Sequence, residues 1–201
     1  MTSTLATPCE FYEVIRKSRF LAKAAPVTSA NEAQAFIQAV SDPSATHNCW
    51  AWKIGTQYRF SDDGEPGGTA GRPMLTAIEG QDCDQVVVVV TRWFGGIQLG
   101  TGGLARAYGG SAAKCLQAGD RLELVERMRC SCHCRFGELA LIKSRLADHE
   151  AYIEHETFDA EGATLLLAVP TEQFANLQQT VADLSRGRIE LSALTPHAAA
   201  R

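Results

Sequence analysis

Short apolar-rich stretches at 11–15 and 18–25, separated by the polar pair Arg16-Lys17, read as two short strands. A helical period follows at 31–40, where Ala33, Phe36, Ile37 and Val40 fall at helical spacing behind Ser29 or Asn31 as N-cap. Alternation comes next. Trp50, Trp52 and Ile54 share one face of a strand and Cys49, Ala51 and Lys53 the other, and Gly55-Thr56-Gln57 turns the chain into a further strand at Tyr58-Arg59-Phe60. A polar, glycine-rich loop over 62–71 leads to a helix beginning near Arg72-Pro73, because proline suits the first helical position. Residues 85–91 hold five consecutive valines and predict a strand buried on both faces. A loop over 92–100 follows. Thr101 is expected to cap a helix running to about Gln117, with Gly119 as its stop. The order ββαββαβα predicts an α+β sandwich with helices on a mixed sheet.

The second half is simpler. Strand 128–136, helix 137–147, strand 152–158, a turn at Ala160-Glu161-Gly162, strand 163–169, helix 171–184 and strand 188–194 form the split-βαβ, ferredoxin-like series. The expected domains are therefore 1–127 and 128–201. Each side of that boundary carries slightly more acid than base, 13 against 12 and then 10 against 7. The net charge of −4 argues against a bulk electrostatic binder of nucleic acid, so any such binding must be local. The apolar run at 86–90, which no other run exceeds, is far short of the ~20 residues of a membrane span. No secretory-signal pattern opens the chain, and seven cysteines make an odd count. These features predict a cytoplasmic protein with reduced thiols, no membrane partner and no cofactor.

Of 17 glycines, 12 lie between Gly64 and Gly110. The run VVVVVTRWFGGIQLGTGGLARAYGG joins a strand, a glycine-rich loop and a helix start, a sequence suited to cradling an anion on free backbone amides. Its candidate binding residues are Arg92, Trp93, Gly95, Gly96, Gly100, Thr101, Gly102, Gly103 and Arg106, with Arg72 nearby. It is not a Walker A loop, since Thr101 stands where lysine is needed, nor a Rossmann fingerprint. The alternative is a tight strand-to-helix connection, with Gly109 and Gly110 permitting close helix packing. In the loop SDDGEPGGTAGRP, Asp62, Asp63 and Glu65 read as acceptors for loop amides and an arginine rather than as metal ligands or catalysts, and His47 could reach a ligand from its strand start. Cys130, Cys132 and Cys134 share one strand face roughly 7 Å apart, which suits core packing better than a zinc site. The basic run Arg16-Lys17-Ser18-Arg19 reads as a solvated hairpin turn or a phosphate-contacting edge.

KSRF, HNCWAW, SDDGEPGGTAGRPML and the long glycine run resemble, in order and spacing, the signature of the YigZ/IMPACT family. The match spans the first 125 or so residues and continues into the smaller second domain of bacterial members. The resemblance implies a first domain with the fold of the second domain of small-subunit ribosomal protein five and a ferredoxin-like βαββαβ second domain. It also implies a translation-linked or RNA-binding role, since the eukaryotic relatives restrain activation of a translation-initiation-factor kinase. The leading expectation is a non-enzymatic protein that binds RNA or the ribosome through the glycine-loop face of its first domain. Carried over by motif are Asp62, Asp63, Gly64, Glu65, Gly71, Pro73, Arg92, Phe94, Gly95, Gly96, Gly100, Gly102, Gly103, Leu104 and Tyr108. Departures are Trp93 for a common tyrosine, Gln98 for lysine and Gly67 for serine, and losing the lysine weakens a phosphate cradle. Two rival classes stand beside RNA binding. One is a phosphate- or nucleotide-binding enzyme of the GHMP-kinase type, faintly echoed by Gly109-Gly110-Ser111; the other is an interaction module for a translation-regulatory protein.

Overall fold

The structure, a computed structural model, describes residues 2–194. It divides into two compact units, the first ending at Leu124 and the second beginning at Val125.

The first unit runs β1 (Ser3–Leu5), β2 (Cys9–Ile15), β3 (Ser18–Pro26), α1 (Ala30–Val40), β4 (His47–Ile54), β5 (Gln57–Ser61), α2 (Gly71–Glu79), β6 (Val86–Trp93), α3 (Thr101–Ala118) and β7 (Arg121–Glu123). Five strands form one sheet in the order β2-β3-β6-β4-β5. Every pairing in it is antiparallel, so the expected mixed sheet is corrected. β3 and β4 do run the same way, but β6 inserts between them with the opposite sense. The valines of β6 face both layers: Val86, Val88 and Val90 pack with α2 and α3, while Val87 and Val89 pack with α1 and Trp52. That double burial is why no polar alternation appears in the run. The expected split of Cys49 and Ala51 from Trp50, Trp52 and Ile54 holds, since the two sets enter opposite clusters.

Two local expectations are corrected and one strand pair is added. The strand continues through Arg92 and Trp93, which were placed in a loop. Gly100, at φ 73°, is the N-cap of α3 with no side-chain cap, and Thr101 is already helical. β1 and β7 pair antiparallel, a strand pair too short to show a period.

The second unit contains β8 (Arg127–Arg135), α4 (Phe136–Leu146), β9 (Tyr152–Phe158), β10 (Gly162–Pro170), α5 (Phe174–Ser185) and β11 (Ser192–Ala193). Its antiparallel sheet has the order β11-β8-β10-β9, the split-βαβ arrangement. Cys130, Cys132 and Cys134 lie in its core with Ile142, Leu165, Leu167 and Leu177. Burial pushes the Cys132 thiol up to about 12. A 3-10 turn at Thr171–Gln173 occupies the start of the expected helix 171–184. The expected last strand, 188–194, shrinks to two residues because α5 holds the segment before it. Ser185 Oγ accepts the Ile189 amide at 3.0 Å, and Gln178 Nε2 donates to the Leu191 carbonyl at 3.2 Å. The remainder of the expected second domain, 195–201, lies outside the described residues. Among those described, no helix is long and apolar enough to cross a membrane.

Candidate functional site

Asp62 ends β5's hairpin arm and faces the start of α2. Its Oδ1 accepts from the Ala70 and Gly71 amides at 3.0 and 2.8 Å, and its Oδ2 from Gly68 at 2.8 Å. The free amides that open a helix are thus met by a carboxylate, as capping requires. Burial alone would raise this carboxyl, but the three amides together hold it below the ordinary range. A depressed folded value means that the stabilisation is present above the ordinary carboxylate pKa of ~3.9 and is lost as pH falls through the lowered value. Asp62→Ala is expected to cost about 1–2 kcal/mol at neutral pH in urea unfolding. The cost should shrink in strong acid, and an undiminished cost there would refute the capping role.

Asp63 and Glu65 are also committed inside the fold. Asp63, at φ 41°, accepts the Asn48 amide at 2.6 Å on Oδ2, and its carbonyl accepts from His47 Nδ1 at 2.7 Å. Glu65 is buried: one carboxylate oxygen accepts both Arg92 Nη1 and the Tyr108 hydroxyl, each at 2.6 Å. His47 Nε2 stands 3.8 Å from the same oxygen. Arg92 in turn donates from Nη2 to Ser18 Oγ at 3.3 Å and lies over the rings of Phe20 and Phe94. Burial raises the Tyr108 hydroxyl far above its ordinary value, so it remains the donor in this group. Cys49, packed alongside, is pushed up to about 12, chiefly by burial, and stays a thiol. Five segments meet at this hub: the acidic loop, β3, β4, β6 and α3.

The glycine loop leaves the hub through Gly95. Its amide donates to Ser18 Oγ at 3.2 Å, and its backbone passes so close to Lys17 that a Cβ there would stand 2.0 Å from the Lys17 carbonyl. Gly96 and Gly100 take φ values of 85° and 73°, which turn the loop into α3. Neither α2 nor α3 has an acidic residue in its first turn, but Asp62 meets the opening amides of α2, whereas the start of α3 has no side-chain cap. Thr101 and Gly102 are exposed there, and the Arg106 guanidinium folds back to 3.5 Å from where a Gly102 Cβ would stand. Positive helix-end charge and a cation therefore coincide at one exposed place.

Between α2 and α3 runs an open groove of about 490 Å³, bordered by Arg72, Pro73, Thr76, Ala105, Arg106 and Gly109, with no acidic side chain in its lining. Gly109 allows the two helices to close on each other, since a Cβ would meet the Pro73 carbonyl oxygen at 3.3 Å.

The expected site residues therefore separate into groups. Arg72, Gly100, Thr101, Gly102, Gly103 and Arg106 gather around the groove and the start of α3. Gly95 and Gly96 shape the loop. Asp62, Asp63, Glu65 and His47 form the internal support. Arg92 is corrected from a surface anion contact to a buried ion-pair partner, because its side chain is only 6% exposed and is spent on Glu65 and Ser18. Trp93 is half-buried with the Arg19 guanidinium 4.9 Å over its ring, whereas its neighbour Phe94 is the exposed aromatic at 49%. Lys114 was overlooked. Its signal was available, since Arg106, Gly110 and Lys114 repeat every four residues and so share one face of α3.

Residues 16–116 match the Impact N-terminal domain, and residues 132–188 match a domain of unknown function, DUF1949. An IMPACT family member from Thermus thermophilus is 44% identical over 88% of this chain and 98% of its own length. IMPACT family member YigZ of Escherichia coli is 36% identical over 94% of this chain and 96% of its own length. Protein IMPACT of Xenopus laevis is 38% identical over 42% of this chain and 30% of its own length. A crystal structure of a hypothetical protein aligns with a TM-score of 0.68 at 35% identity, covering 98% of this chain and all of that one.

Proposed function

The chain belongs to the IMPACT family, and from that premise we propose that it is a non-enzymatic protein that binds RNA or the ribosome and acts in translation control. The observation that carries this reading is the α2–α3 groove, lined by Arg72 and Arg106 with no carboxylate, from which Arg106 reaches back to the exposed, uncapped start of α3. A protein of net charge −4 repels a polyanion overall, so binding needs such a local basic strip. Contacts of this kind are charge-assisted hydrogen bonds from guanidinium and backbone amide to phosphate oxygens. The double variant Arg72→Ala with Arg106→Ala is expected to weaken RNA or ribosome binding by about 1–3 kcal/mol and to flatten its salt dependence. Unchanged cosedimentation with ribosomes and unchanged RNA affinity would refute the reading.

The enzyme alternative draws no support from Gly109-Gly110-Ser111, which lies in mid-helix; Ser111 is fully buried and donates to Glu13 at 2.7 Å. A protein partner is the second reading. Phe94 and Ile97, 49% and 38% exposed on the glycine loop, favour it, because apolar loop tips serve protein contacts. Ribosome association that survives nuclease and high salt would select the protein partner over RNA.

A further inference from the structure

Arg106 borders a second concavity. On the other side of α3, the β2–β3 hairpin and the helix enclose a cavity of about 240 Å³ whose lining includes Glu13, Arg16, Gly103, Arg106, Gly110 and Lys114. Three cations face one carboxylate. Glu13 is internally neutralised, since it accepts from Lys114 Nζ at 2.6 Å and from Ser111 Oγ at 2.7 Å. Among the described residues, no ion pair engages Arg16 or Arg106. The cavity therefore holds two uncompensated positive charges, which matches a dianion better than a monoanion.

Two backbone features point the same way. Gly110 sits inside α3, where glycine weakens a helix, yet a Cβ there would meet nothing within 4 Å. Packing does not demand this glycine, unlike Gly109; what it provides is space. Arg16 and Lys17 form the two-residue hairpin turn at φ 45° and 68°, a conformation that asparagine and glycine adopt more readily. The turn nonetheless places an arginine at the cavity.

We propose that this cavity is a phosphate-monoester pocket, which receives the terminal phosphate of an RNA strand lying in the α2–α3 groove, with Arg16 and Arg106 as its two free cations. The inference rests on the RNA-binding reading above. A terminal monoester carries close to two negative charges at neutral pH, while each internal phosphodiester carries one, so the pocket distinguishes a strand end from its interior.

The test is a fluorescence-anisotropy titration of the full chain with one short oligoribonucleotide carrying a 5′-phosphate, a 3′-phosphate or only hydroxyl ends, at fixed salt. One phosphorylated strand is expected to bind about tenfold or more tightly than the hydroxyl-ended strand. Arg16→Asn, which suits the left-handed turn, and Lys114→Gln, which frees the Glu13 carboxylate to repel phosphate, should each erase that preference. Both should weaken binding of the hydroxyl-ended strand far less than binding of the phosphorylated one, with thermal melting confirming that each variant folds. Equal affinity for all three strands would overturn the pocket and leave the RNA reading standing. If no strand binds, the RNA reading fails and this proposal with it. Saturable calorimetric binding of adenosine monophosphate, lost in Arg16→Asn, would then assign the cavity to a free phosphate monoester instead.

Discussion

Glu65→Leu is expected to lower the free energy of unfolding by about 3–5 kcal/mol, because it strands the guanidinium of Arg92 in the protein interior without its counter-ion. The two side chains are 3% and 6% exposed and meet at 2.6 Å, so little solvent is available to replace the lost carboxylate. The substitution also deprives the Tyr108 hydroxyl of its acceptor. Among the described residues, Arg92 Nε is already buried without a partner, so the arginine has no slack to absorb the loss. Glu65→Leu combined with Arg92→Met removes both charges and should recover most of the stability, since a buried pair contributes little net compared with well-packed apolar residues. Urea unfolding of wild type, both single variants and the double variant measures the coupling directly. A double variant as unstable as Glu65→Leu alone would show that the hub acts through packing rather than charge.

Gly95→Ala is expected to cost about 3 kcal/mol and to displace the glycine loop from the β2–β3 hairpin. The added Cβ would stand 2.0 Å from the Lys17 carbonyl carbon and oxygen and 2.5 Å from the Ser18 nitrogen, all backbone atoms that no rotamer change can move. The shift would also break the Gly95 amide's bond to Ser18 Oγ, and with it one tie to the Arg92 hub. Gly96→Ala is the control. A Cβ there meets nothing within 4 Å, and only the φ of 85° is unfavourable, so the cost should be about 1–2 kcal/mol. Equal thermal stabilities for the two variants would mean that the close approach at Gly95 does not hold the loop.

Most secondary structure was legible because it was written in local patterns. The α1 face shows a helical period, the valine strand is read from its unbroken β-branched run, and the elements of the second unit before its last strand follow in the expected order. Misreadings occurred where one residue type serves two local states. Arg92 and Trp93 follow the valines without an apolar cue and read as loop, although the strand ladder carries them on. The last strand reads as seven residues, but α5 side chains take the Ile189 amide and the Leu191 carbonyl.

The candidate site divides in the same way. Sequence alone indicated where the special backbone lies, in the glycine-dense stretch, and that the acidic loop serves as a set of hydrogen-bond acceptors, because residue chemistry and spacing decide both. Only the tertiary structure decided which arginines face solvent. Arg92 and Arg106 stand in the same glycine-rich motif, yet Arg92 lies on the α2–α3 side of the sheet and is neutralised by Glu65, 27 residues away, while Arg106 lies on the open side of α3. Burial and counter-ion come from segments distant in sequence, and a local pattern carries no record of either.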